Sequence, residues 1–176
     1  MELFSKEKLS EVEAAGQFVI SMVKPIQQEW SGVAAELTQM LQLKQPISTD
    51  RYAAFEFALA VIALEIQALP NLLSAAQADR IREHVLGCIS SPDLGSYPRD
   101  AIDEYQTAWN QSMQQGEPPF GGIASLFFDK LGCQSIVELE HAKFKDPLLL
   151  IALSGKVITF GGGWWKKATQ RCILVP

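Results

Sequence analysis

Apolar or small residues recur near the start of the chain at Leu9, Val12, Gly16, Val19, Val23, Ile26, Trp30, Val33, Leu37 and Met40, in alternating steps of three and four. Steps of that kind put side chains on one face of a helix. The spacing resembles a coiled-coil seam, but Ala15, Ile20, Met22, Ala34 and Leu41 are apolar as well and widen the stripe into the broad face of a bundle helix. Pro25 lacks the amide that would bond four residues back, so a kink is expected there. Because the stripe keeps its phase through Pro25, one long kinked helix is favoured over two separate ones.

The next segment, "DRYAAFEFALAVIALEIQALP", is apolar on nearly every side, with Asp50 placed to cap a helix and Pro70 to stop it. Such a helix belongs at the centre of a fold. Ser74 and Gln77 then form a capping box for "AAQADRIREHVLGCIS", whose inner face would be Ala78, Ile81, Val85 and Cys88 or Ile89. After the turn-rich "SPDLGSYP", Pro98 suits the first turn of a helix with Ile102, Tyr105, Trp109 and Met113 on its buried stripe.

"GEPPFGG", residues 116–122, carries two prolines and three glycines and predicts a loop. A short helix over 123–132 would follow, closed by Gly132. Ser135 with Glu138 predicts a further helix start, and Asp146 with Pro147 another. The β-branched stretches "KVITF" and "RCILV" are the candidates for strands.

These elements predict a mainly α fold, a single compact bundle of six to eight helices around the apolar helix at about 51–69, with a short β pair near the C-terminus. One domain is expected over 1–176: a long or kinked N-terminal helix to 43, a helical core over 50–160, and a glycine hinge with a basic segment over 161–176.

Composition agrees: 176 residues with 48% apolar side chains can bury one core, and 20% charged residues is far from the signature of disorder. A net charge of −5 argues against nucleic-acid binding, which needs a basic footprint. Cys88, Cys133 and Cys172 form no metal-ligand or redox spacing and are read as buried, reduced thiols. "MELFSKEKLSEVEAAG" has no apolar run behind a basic start, so a cytoplasmic protein is expected.

Chemistry is sparse. Glu56 and Glu65 lie in the most apolar helix and are the candidates for a ligand pocket between helices. Nine residues apart, they point to opposite sides of that helix, so one site cannot use both. The alternative is that one of them faces solvent and the other pairs with an arginine such as Arg51, Arg80 or Arg82. Glu138 and His141 have the i, i+3 spacing of a dinuclear metal site, but the only other histidine, His84, lacks the matching glutamate, so no metal is expected. "LSGKV" fails as a phosphate loop and "FGGGWW" as a dinucleotide loop, so neither a cofactor nor a catalytic residue is assigned.

The tail changes the picture most. Around a helix from 164 to 172, Trp164, Trp165, Ala168, Thr169 and Cys172 fall on one side, and Lys166, Lys167, Gln170 and Arg171 on the other. Residues 147–176 carry four cations and no acid, leaving −9 on the rest of the chain. Gly161, Gly162 and Gly163 before the tryptophans read as a hinge. The tryptophan face has three destinations: the chain's own core, a second copy or protein partner, and an anionic membrane surface. The expected function is a non-enzymatic helical interaction protein that forms a homo-oligomer or binds another protein. The alternatives are a small-ligand binder or enzyme built on a buried glutamate, and membrane-surface association through the Trp/Lys segment.

Overall fold

The computed structural model describes residues 7–40, 45–116, 119–132, 155–157 and 159–176. The elements with both ends among the described residues are six helices that pack together and two short strands that join the ends of the chain: β1 (Glu7–Ser10), α1 (Glu11–Met40), α2 (Arg51–Gln67), α3 (Ala75–Ile89), α4 (Tyr97–Gln114), α5 (Pro119–Lys130), α6 (Trp164–Arg171) and β2 (Cys172–Val175). A 3₁₀ turn, Leu69–Asn71, follows α2 and contains Pro70. The mainly α expectation holds. The helices inferred after Ser135 and Asp146, the Glu138/His141 pair and Cys133 lie wholly or partly outside the described residues.

α2 is the centre. Its N-terminus is capped by Asp50, whose side chain accepts from the Ala53 amide at 2.8 Å, and eleven of its residues, from Ala53 to Ile66, are buried. α1, α4 and α5 pack against it, and α3 packs on α1. It is also the one helix among the described residues long and apolar enough to cross a membrane, and two-thirds of that stretch is buried inside the protein.

α1 continues as one helix through Pro25. The anticipated stripe holds from Ile26 to Leu37 but slips in the first half, where Ala14, Ala15, Phe18, Val19 and Met22 face inward and Val12 and Ile20 are exposed. A repeat near 3.5 drifts about 20° per heptad on a straight helix of 3.6 residues per turn, so a stripe drawn at that repeat cannot stay on one face for thirty residues. The same rotation affects α4: Ser112 is buried and Met113 exposed, with Trp109 only half-buried.

α5 begins at Pro119, inside the segment expected to be a loop. Gly122 explains why the helix is tolerated there. A Cβ at this position would lie 2.5 Å from the Ala108 carbonyl oxygen and 2.5 Å from Ser112 Oγ, so the missing side chain lets α5 lie directly on α4. Gly132, at φ 68°, closes the helix in the left-handed conformation expected of a C-terminal glycine.

The strand assignment needs correcting. Lys156 and Val157, with Thr159 and Phe160, all in "KVITF", are helical. β2 does form in "RCILV", but its partner is β1 at the other end of the chain, parallel, with Glu7 opposite Cys172 and Ser10 opposite Val175. Ser10 and Glu13 make the capping box that starts α1: Ser10 Oγ donates to Glu13 Oε2 at 2.7 Å, and the Glu13 amide donates to Ser10 Oγ at 3.2 Å. Ser74, by contrast, makes no side-chain cap on α3, and the Gln77 side chain is turned toward α1 and β2. The thiols also differ from expectation, with Cys88 exposed and Cys172 half-buried.

Candidate functional site

Glu56 enters the space between α2, α4 and α5 and is fully buried. Tyr105, equally buried, donates its hydroxyl to Glu56 Oε1 at 2.7 Å, and Tyr97 donates to Oε2. Lys130 Nζ stands 4.0 Å from Oε1, binds Glu104 at 2.6 Å, and lies 5.5 Å from the centre of the Tyr97 ring. Tyr97 has one hydroxyl proton and gives it to the carboxylate, so the 3.0 Å contact with Tyr52 must be donated by Tyr52. The result is a hydrogen-bonded chain from an exposed phenol, Tyr52, to a carboxylate in the core. Burial, reinforced by Glu56, pushes the Tyr97 and Tyr105 hydroxyls well above the usual tyrosine range, so both remain donors.

This arrangement compensates the buried charge with two phenols and an ammonium rather than an arginine. Arg80 and Arg82 serve other acids: Arg80 binds Glu11, and Arg82 binds Glu83 and Asp103. Because each carboxylate oxygen already has a donor, the cluster joins three helices chemically as well as by packing.

Glu65 does something different. Its Oε1 accepts the Gly163 amide at 3.0 Å, at the first turn of α6, where a carboxylate also suits the positive end of the helix dipole. Gly161 lies against the same side chain, its Cα hydrogen standing where a Cβ would be 2.8 Å from Oε1. Gly162 and Gly163 have φ 57° and 67°, so the glycine run forms a left-handed corner over Glu65. Glu56 and Glu65 thus engage different elements and are not brought into one site.

The corner delivers Trp165 into the core, fully buried, with its ring 4.9 Å from Phe18; Trp164, half-buried, stands 5.4 Å from Phe18 and edge-on to Trp165 at 4.7 Å. Trp165 Nε1 has no acceptor among the described residues. Lys166, Lys167, Gln170 and Arg171 are exposed, as the wheel from 164 to 172 predicts. Below the helix, Glu11 ties the two ends of the chain to α3. It is fully buried, accepts two bonds from Arg80 at 2.8 and 2.9 Å and one from Gln77 at 3.0 Å, while Gln77 also donates to the Leu174 carbonyl at 3.3 Å. The Arg80 bond, opposed by burial and helped by Gln77, holds the Glu11 carboxyl below the ordinary glutamate range.

On the opposite flank of α1 an open groove of about 280 Å³ runs between α1, α2 and α3, walled by Val19, Ile20, Val23, Phe55, Cys88 and Ile89, with Lys24 and Gln27 on its rim. Neither Glu56 nor Glu65 lines it. Ile20 is 65% exposed and Val12 56%, both on the part of α1 where the stripe slips. Among the described residues no cluster of three or more metal-ligating side chains occurs.

Two members of these sites escaped the sequence reading although signals for them were present. A tyrosine on a buried stripe needs an acceptor and a buried glutamate needs donors, which pairs Tyr105 with Glu56 in principle. The Ser10–Glu13 box was equally readable and would have moved the start of α1 to Glu11. No family model, curated protein or solved structure matches this chain.

Proposed function

We propose that this chain is a non-enzymatic helical interaction protein that self-associates, two copies meeting at the groove between α1, α2 and α3. The observation that carries this reading is Ile20. A large aliphatic side chain stands 65% exposed beside an apolar hollow on the same face. Around a two-fold axis such a surface complements itself, since the knob of each copy faces the hollow of the other. The lining has one charged residue, Lys24, on its rim, in keeping with the depletion of charge at interface cores. Gly16 and Gly87 flank the face, and a Cβ on either would meet nothing, so neither obstructs close approach.

Ile20→Glu would put a charge that must be desolvated at the centre of that interface while leaving the monomer's core untouched. Sedimentation velocity over a dilution series from micromolar to near-millimolar should show a rapidly reversible dimer for the native chain. For Ile20→Glu it should show a dissociation constant raised by at least about tenfold, which is about 1.4 kcal/mol. A native chain that stays at 19.4 kDa throughout, or a variant that dimerises equally well, rules the reading out.

A further inference from the structure

We infer that the C-terminal segment from Gly163 to Pro176 is an exchangeable element, which leaves its own core and takes the same seat on a second copy of this chain. The inference does not rest on the groove. It follows from what anchors the segment. Trp164 and Trp165 pack on Phe18, the Gly163 amide is held by Glu65, the Leu174 carbonyl by Gln77, and β2 by β1. Each of these partners is far away in sequence, and none is in the stretch immediately before the corner. The seat therefore cannot distinguish its own tail from that of another copy, and the contacts formed are the same in either case. Exchange of an identical element is for this reason a low-cost route to a dimer.

With equal contacts, the balance is set by the connection. In the closed chain the connection is a corner of two consecutive left-handed residues, Gly162 and Gly163. Ordering glycine costs more conformational entropy than ordering any other residue, and an opened linker between two copies releases that cost. Trp165 adds a kinetic element. Its indole N–H is buried without an acceptor among the described residues, so withdrawing it restores a hydrogen bond to water and offsets part of the apolar surface exposed.

The register supplies the test, because Glu7 and Cys172 are directly opposed. One chain carries Glu7→Cys with Cys172→Ser; the other keeps Glu7 and Cys172. Both carry Cys88→Ser and Cys133→Ser, and Ile20→Glu to remove the groove contact. After incubation at high concentration and mild oxidation, exchange yields a disulfide-linked heterodimer on a non-reducing gel, lost on reduction. Gly162→Val strains the left-handed corner just outside the exchanged segment and should increase the heterodimer several-fold. A chain with Glu7→Cys and Cys172 together should instead close within one molecule at low concentration, which shows that the strands pair. The inference is overturned if that control closes but the mixture gives no heterodimer, if the control does not close, or if Val12→Cys in place of Glu7→Cys cross-links as fast.

Discussion

Replacing Glu56 by alanine removes the acceptor on which α2, α4 and α5 converge. Two phenol bonds to a charged carboxylate are lost, each worth about 1.5–3 kcal/mol, and Tyr105 is left as a buried donor with no partner. The desolvation penalty of the carboxylate is recovered in part, and Lys130 keeps Glu104. The net is set by the usual cost of breaking a buried charged arrangement from one side, about 3–5 kcal/mol. In a chain of 176 residues each kcal/mol moves Tm by roughly 2–4 °C, so Glu56→Ala should lower Tm by about 6–20 °C. Tyr105→Phe removes one bond at a fully buried site and should cost about 1.5–3 kcal/mol. Tyr97→Phe should cost less, because Tyr97 is half-buried and Tyr52 or water can approach the vacated oxygen. Urea and thermal melts followed by circular dichroism at 222 nm give all three values, and a Glu56/Tyr105 double-mutant cycle gives their coupling. The reasoning fails if Tyr105→Phe is neutral, if Tyr97→Phe is the more damaging of the two, or if the coupling is zero.

Gly122→Ala should destabilise by roughly 1–3 kcal/mol, since the new Cβ meets the Ala108 backbone, and Ser112→Ala should not rescue it; chemical denaturation of the single and double variants decides this. Gly161→Ala and Glu65→Ala should be strongly non-additive, because the first displaces the side chain that the second removes; equal and additive effects in a double-mutant cycle would count against the capped corner. Trp165→Ala should cost about 3–5 kcal/mol and remove the blue-shifted component of tryptophan fluorescence, whereas an unshifted emission would place the ring in water. Glu11 has a depressed folded pKa, so the stability it contributes is complete above the ordinary glutamate value of 4.5 and is lost as pH falls through the lower folded value. Melts across that acid range should show Glu11→Gln losing less stability than the native chain, and parallel curves would contradict the assignment.

How much of this was legible in the sequence differs by element. Asp50, Pro98 and Gly132 announce their structures because caps, first-turn prolines and left-handed glycines act within a few residues. The two-sided burial of α2 was equally plain, since few positions on it could tolerate water. Facing was read less well. In α1 and α4 a rotation of one position separates the expected face from the buried one, and only a neighbouring helix fixes that angle. The expected loop gave way to helix over residues 119–122 for a related reason, because Gly122 serves a helix contact with Ala108 rather than a turn. The β pair shows the limit most clearly: "RCILV" has strand propensity, but nothing local to it points to Glu7 as its partner, 165 positions away. At the candidate sites, one buried glutamate on α2 was expected without a choice between Glu56 and Glu65, whereas the phenol partners of Glu56, the use of Glu65 as a cap and the exposure of Ile20 depend on how helices meet.

Of all these measurements, the mass of the native chain in solution as a function of concentration bears most directly on the proposed function. Sedimentation equilibrium should move from the 19.4 kDa monomer toward twice that mass as concentration rises, and Ile20→Glu should shift that transition to at least about tenfold higher concentration. A native chain that remains monomeric at the highest concentration reached, with Ile20 still open to solvent, contradicts the account.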